Sequence, residues 1–332
     1  MISGGSFAGY CIAIIASAAL TEWIGARAVV VTAALVAAFG MAAIALAPSP
    51  LILAMAVVVA GSSTGLASPP MAATVSVAVQ KNRQDLTNTV INAGTSAGVA
   101  LSGPIALAIA GEWRLAFGAF AVVAVMLAIA AAIALPSASS APKAGGVPRQ
   151  TGAVKRLIAS SFLMGAASTA LWSFGGQLVA EQMAWGPKGV GMLWTCIGVG
   201  GVAGAWAGTL VKRFGLESIH RTFLGLMSAT ILATGAGIGA IAALLGGVLF
   251  GAAYVMLTGV YLIWGTNALP DRPATGLMIG FLTIAIGQTA GAPLFGFLLE
   301  WNGPETAVIC FALATALAGL FKARGAHVRV PA

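Results

Sequence analysis

Charge is what this chain lacks. Only 7% of its 332 residues are charged, 8 acids against 16 bases, where a soluble domain carries about a quarter. So few charges cannot cover a surface in water, which excludes an ordinary soluble protein. Histidine and cysteine are equally scarce. His220, His327, Cys11, Cys196 and Cys310 stand far apart with no ligand-like spacing. That excludes a metal cluster and leaves no nucleophile, acid and base constellation for a membrane enzyme. The cysteines read as small packing residues, and no cofactor is implied.

What is present is apolar and comes in long runs. Hydrophobic residues make up 59% of the chain and fall in blocks of about 20, the length a helix needs to cross a hydrocarbon core of roughly 30 Å. Barrel strands would alternate instead. Five blocks run Ile2–Leu20, Ala28–Ala47, Leu51–Val79, Leu86–Ala110 and Leu115–Leu135. Six more run Leu157–Ala180, Val190–Val211, Thr222–Ala242, Leu244–Gly265, Gly276–Leu299 and Thr306–Phe321. Between them, residues 136–153 are rich in proline, serine and glycine and carry Lys143 and Arg149, the composition of a linker in water. The expectation is an all-α integral membrane bundle of about eleven helices, with units at 1–135 and 154–332 around that linker. The 44 glycines suit close helix approach in lipid.

Basic residues fix the orientation. With the linker on the cytoplasmic side, alternation puts every lysine and arginine except Arg114 and Lys188 on that side, as short cytoplasmic loops require. The bases lie singly or in pairs without interleaved aromatics, so the net charge of +8 reflects topology and not nucleic-acid binding. The first block has no basic residues ahead of it, which argues against a signal peptide.

An internal repeat runs through the chain. The loop from Ala18 through Glu22 and Gly25 to Arg27 corresponds to that from Gly208 through Lys212 and Arg213 to Gly215, about 190 residues on. Gly94-Thr-Ser-Ala-Gly98 matches Gly287-Gln-Thr-Ala-Gly291 at nearly the same offset. In the second unit two helices precede the glycine loop, in the first only one, so about one N-terminal helix is expected to be absent. A mis-assigned start or a real truncation would both give this.

These features resemble the major facilitator superfamily over essentially the whole chain. The family's loop between its second and third helices is matched at Glu22, Gly25 and Arg27; Ala18, Trp23 and Ala26 depart from it. Glycines at 94, 98 and 103 followed by Pro104 are similar to part of the fifth-helix pattern of the family's exporters. The resemblance implies a transporter working by alternating access, with family helices two to six in 1–135 and seven to twelve in 154–332. It also implies gating loops at Glu22, Gly25, Arg27, Lys212, Arg213 and Gly215. Glycine and proline packing positions follow at Gly94, Gly98, Gly103, Pro104, Gly287 and Gly291.

A substrate cavity should be built from polar and aromatic groups within the apolar blocks, since such groups avoid lipid. Candidates are Asn92 and Ser96; Thr169, Trp172, Ser173 and Gln177; Tyr254, Thr258 and Tyr261; and Gln288. Thr95 and Thr289 lie beside them. Each also has a structural reading, as a hydroxyl bonded back to its own helix or a tyrosine at the membrane interface. All eight acids and both histidines fall at span ends or loops, so no titratable group is expected inside. A coupling proton would then use the absent helix, unless the chain is a uniporter. An interior without charge suits small neutral or weakly charged organic substrates and disfavours strong anions. The expected protein is a monomeric exporter in a bacterial inner membrane, with lipid and a small molecule as partners. An importer or facilitative uniporter, or a truncated relic that transports nothing, remains the alternative.

Overall fold

The computed structural model describes residues 2–108, 111–136, 151–270 and 272–323. Of the expected linker, positions 137–150 lie outside the described residues, as do Asp271 and the terminal Arg324, His327 and Arg329. All regular structure among the described residues is helical. α1 (Ile2–Ile24), α2 (Ala26–Leu46), α3 (Pro50–Ala78), α4 (Lys81–Ala108) and α5 (Trp113–Ala134) come first. Then follow α6 (Gly152–Trp172), α7 (Gly175–Met183), α8 (Pro187–Gly201), a 3₁₀ turn η1 (Val202–Trp206) and α9 (Ala207–Phe214). α10 (Leu216–Gly235), α11 (Ala240–Ala268) and α12 (Pro273–Ala318) complete the chain.

Seven of these stretches are long and apolar enough to cross a membrane unaided, and α6 with α7 makes a further span bent by 42°. α12 has 46 residues and breaks at Gly303 (φ 81°, ψ 169°), so it crosses twice. With α4 and α10 the bundle has the eleven helical segments that the apolar blocks predict. Local chemistry sets several boundaries. Ser49 Oγ accepts from Ile52 N–H at 3.4 Å ahead of α3, Thr151 Oγ1 accepts from Val154 N–H at 3.4 Å ahead of α6, and Pro187 opens α8. Each arrangement answers a backbone N–H that a helix start leaves unpaired.

The repeat is visible in the backbone. Gly25, between α1 and α2, has φ 84° and ψ 156°; Gly215, between α9 and α10, has φ 84° and ψ 151°. A second pair was not read from the sequence. Gly111 ahead of α5 has φ 89° and Gly303 ahead of the last segment has φ 81°, at an offset close to the first.

The largest buried cluster lies among α6, α8, α10, α11 and α12. α6 lies along α12, α1 along α3, α2 against α3 and α5, and α8 and α10 against α11. The largest buried side chains, Trp264, Tyr261, Phe250 and Phe295, belong to α11 and α12. Leu46, Ile133 and Ile241 point outward at 77–79% exposure, where hydrocarbon is a better solvent for them than water. Glycines set the closest contacts. A methyl on Gly287 or Gly291 would collide with the carbonyls of Phe162 or Ala166 in α6, and one on Gly198 with the backbone of Ala100 in α4. Gly94 and Gly98 differ from the packing expected of them: nothing lies within 4 Å of their Cβ positions. α4 turns Thr89, Ser96 and Gly103 towards η1, α8 and α11, which leaves the Gly94 face uncovered. Pro104 is likewise exposed.

Candidate functional site

Six helices surround one cavity of about 490 Å³. α1 contributes Ser6, Phe7 and Tyr10; α3 contributes Thr64, Ser68 and Met71; α4 contributes Asn88, Ile91, Asn92, Thr95, Ser96 and Val99. From the other side come Trp172 of α6, Tyr254, Val255, Thr258 and Leu262 of α11, and Leu277, Phe281, Ile284, Ala285 and Gln288 of α12. None of the lining residues is Asp, Glu, His, Lys or Arg.

Of the ten cavity residues expected from sequence, Asn92, Ser96, Trp172, Tyr254, Thr258 and Gln288 line it. They are held by a polar lattice. Gln288 Nε2 donates to Ser168 Oγ at 3.3 Å and to Tyr254 Oη at 3.1 Å, and Asn92 Nδ2 donates to Val255 O at 3.4 Å. The Trp172 ring meets Tyr254 edge-on with centroids 5.1 Å apart, and Trp194 and Phe250 pack behind it.

The other four lie elsewhere. Thr169 is buried and its hydroxyl donates to Ala166 O at 2.6 Å. Ser173 sits at the α6–α7 bend, and Gln177 is exposed beyond it, donating to Glu181 at 2.8 Å. The bend rotates the polar stripe that a straight helix would have kept on one face. Tyr261 faces away from the cavity into a buried network. Its hydroxyl is 3.0 Å from Ser160 Oγ and 3.2 Å from His220 Nε2; Ser160 Oγ is also 3.0 Å from His220 Nε2 and donates to Ala318 O at 3.0 Å. His220, expected outside the core, is wholly buried and packs edge-on against Trp264. Sequence position places it at the end of an apolar block, but α6, α11 and α12 close over that end. A polar residue facing a serine and a tyrosine on other helices leaves no local pattern.

One end of the bundle gathers bases. Lys212 Nζ at the end of α9 donates to Asn82 O at the start of α4 at 3.2 Å, and Arg156 Nε of α6 donates to Lys322 O at 3.2 Å. Arg213 lies 5.2 Å over the Phe214 ring. Glu22 is exposed and Arg27 half-buried beside Gly25. Asp85, ahead of the apolar stretch of α4, has its carboxyl pushed up by burial, and the Lys212 charge works against that rise. The cavity reaches towards this end at Asn88, Leu262 and Leu277. Away from this end α1 meets α12, with Cys11 Sγ 3.8 Å from Thr289 Oγ1, and α4 meets α8 at Gly103 and Thr195.

The family model of the Major Facilitator Superfamily matches residues 1–285. The chain belongs to the major facilitator superfamily. Solved structures of that superfamily share its fold. The human organic anion transporter MFSD10 superposes with a TM-score of 0.78 at 15% identity, over 96% of this chain and 82% of that one. FucP in its outward conformation gives 0.67 at 17% identity, over 96% and 88%. A variant of the E. coli fucose:proton symporter FucP gives 0.66 at 17% identity, over the same shares. No curated protein matches by sequence. This superfamily member is therefore a multi-span membrane transporter whose central cavity is the place to seek its substrate.

Proposed function

We propose that the protein is a secondary active transporter that exports neutral or weakly charged small organic molecules by alternating access. The observation that carries this reading is the cavity of about 490 Å³, walled by aromatic rings, amides and hydroxyls and by no charged side chain. Such a lining suits a moderately apolar solute and offers no arginine or lysine clamp to a strong anion. The anion named for the human neighbour is therefore not carried over; a neutral solute, like the sugar named for FucP, fits better. Residues 1–135 and 154–332 act as the two rocking units around the linker 136–153, a division supported by the paired backbone geometry of Gly25 and Gly215. The basic end is the cytoplasmic side of a bacterial inner membrane, as the positive-inside bias supports.

A facilitative uniporter is the second reading, favoured by the absence of a titratable acid or histidine from the cavity lining. One experiment separates them. The purified chain in vesicles is offered a panel of neutral and weakly basic solutes, with and without an imposed pH gradient. Gradient-driven accumulation supports secondary active transport; equilibration that ignores the gradient supports the uniporter. Thr95→Trp, which fills the cavity from an exposed position on α4, should abolish either. Movement that survives it would count against the cavity as the route.

A further inference from the structure

Three amides line the cavity, Asn88, Asn92 and Gln288, and the last two are fixed the same way round. The hydroxyl proton of Ser168 is committed to Gly165 O at 2.7 Å. Ser168 Oγ can therefore only accept, and only the NH₂ end of Gln288, 3.3 Å away, satisfies it. The partner of Asn92 is Val255 O, and a carbonyl has no proton to give. Each of these two amides thus turns its nitrogen to the protein. Gln288 Oε1 and Asn92 Oδ1 are left over: no donor among the described residues reaches them, and neither is sealed from the cavity.

Two neighbouring hydroxyls have no proton to give these oxygens. Ser68 spends its proton on Thr64 O and Thr258 on Tyr254 O, each at 2.9 Å. A solute with neither N–H nor O–H groups would face these two carbonyls with no donor to offer, and the carbonyls would lose their water without replacement.

We infer that this cavity favours solutes that donate hydrogen bonds, with Gln288 and Asn92 as the specificity-determining acceptors. The substrate class is uncharged or weakly basic organic molecules that carry N–H or O–H donors and whose apolar body lies against Trp172, Tyr254 and Phe281. This rests on the transport reading above.

The test compares naphthamide, which has two N–H donors, with N,N-dimethylnaphthamide, which has none. Binding to the full chain in lipid nanodiscs is followed by quenching of tryptophan fluorescence. With one or two hydrogen bonds at stake, naphthamide should bind roughly tenfold tighter. Gln288→Met keeps the length and removes the acceptor, so the preference should shrink to about twofold or less. Gln288→Glu keeps an acceptor oxygen and should retain the preference, which separates loss of the acceptor from collapse of the site. Equal binding of the two amides, or binding of neither, overturns the inference. Vesicle uptake of the wider solute panel, measured alongside, decides the transport reading separately: solutes that move without regard to hydrogen-bond donors leave transport standing and selectivity refuted.

Discussion

Gly25 and Gly215 lie 190 residues apart and hold nearly the same backbone conformation, with φ of 84° at both and ψ of 156° and 151°. That region is open in practice to glycine alone. Each residue is the whole connection between two consecutive helices, so its geometry sets the angle at which the chain turns back. Gly25→Ala and Gly215→Ala should each cost about 1–3 kcal/mol, seen as a lower melting temperature in detergent. Gly225→Ala is the control, since it sits inside α10 with open space around its Cβ position; it should be neutral or slightly stabilising.

The second repeat is asymmetric, and that asymmetry is testable. Gly287→Val and Gly291→Val push a side chain into the carbonyls of Phe162 and Ala166, so monodisperse protein should be lost or the α6–α12 contact splayed. Gly94→Val and Gly98→Val, at the corresponding positions of α4, meet open space. Size-exclusion profiles of the four variants should divide two and two.

The Ser160–His220–Tyr261 network predicts a deep cost for a small change. Tyr261→Phe removes one hydroxyl from a wholly buried cluster and leaves His220 Nε2 with Ser160 as its remaining partner. A loss of about 1–3 kcal/mol is expected. Combined with Ser160→Ala the losses should fall short of additive, because the two side chains share one network.

Asp85 gives a pH dependence. Its carboxyl is raised above 3.8 by burial, against the pull of Lys212. The folded protein therefore holds that proton more tightly than the unfolded chain does, and the site is most favourable when protonated. As pH rises through and beyond the ordinary carboxylate range, this contribution is lost. Asp85→Asn should melt higher than the parent at neutral pH, with the difference vanishing in acid. Equal melting at every pH would leave Asp85 as an ordinary solvated carboxylate.

The bundle was legible from the sequence because block length and the placement of lysine and arginine each constrain it. Six cavity residues were legible for one reason: a polar or aromatic group inside an apolar span avoids lipid. That rule says inward and not which interior. Thr169, Ser173 and Gln177 keep helical spacing in the sequence, but the bend after Trp172 takes the last two off the cavity face. Tyr10, Asn88, Thr64 and Ser68 were passed over because their membership depends on α1, α3 and α4 converging, which no single span reveals. His220 was misplaced for the same reason, since its partners come from two other helices.

Thr258 and Tyr261 are three residues apart on α11, roughly 4.5 Å along its axis. One borders the cavity and the other is sealed among Ser160, His220 and Trp264. A single helix is thus the whole partition between a chamber that must change shape as solutes come and go and a core that must not. Its thickness is one backbone and two side chains. Crowding on the chamber side has nowhere to go but into the hydrogen bonds behind the wall.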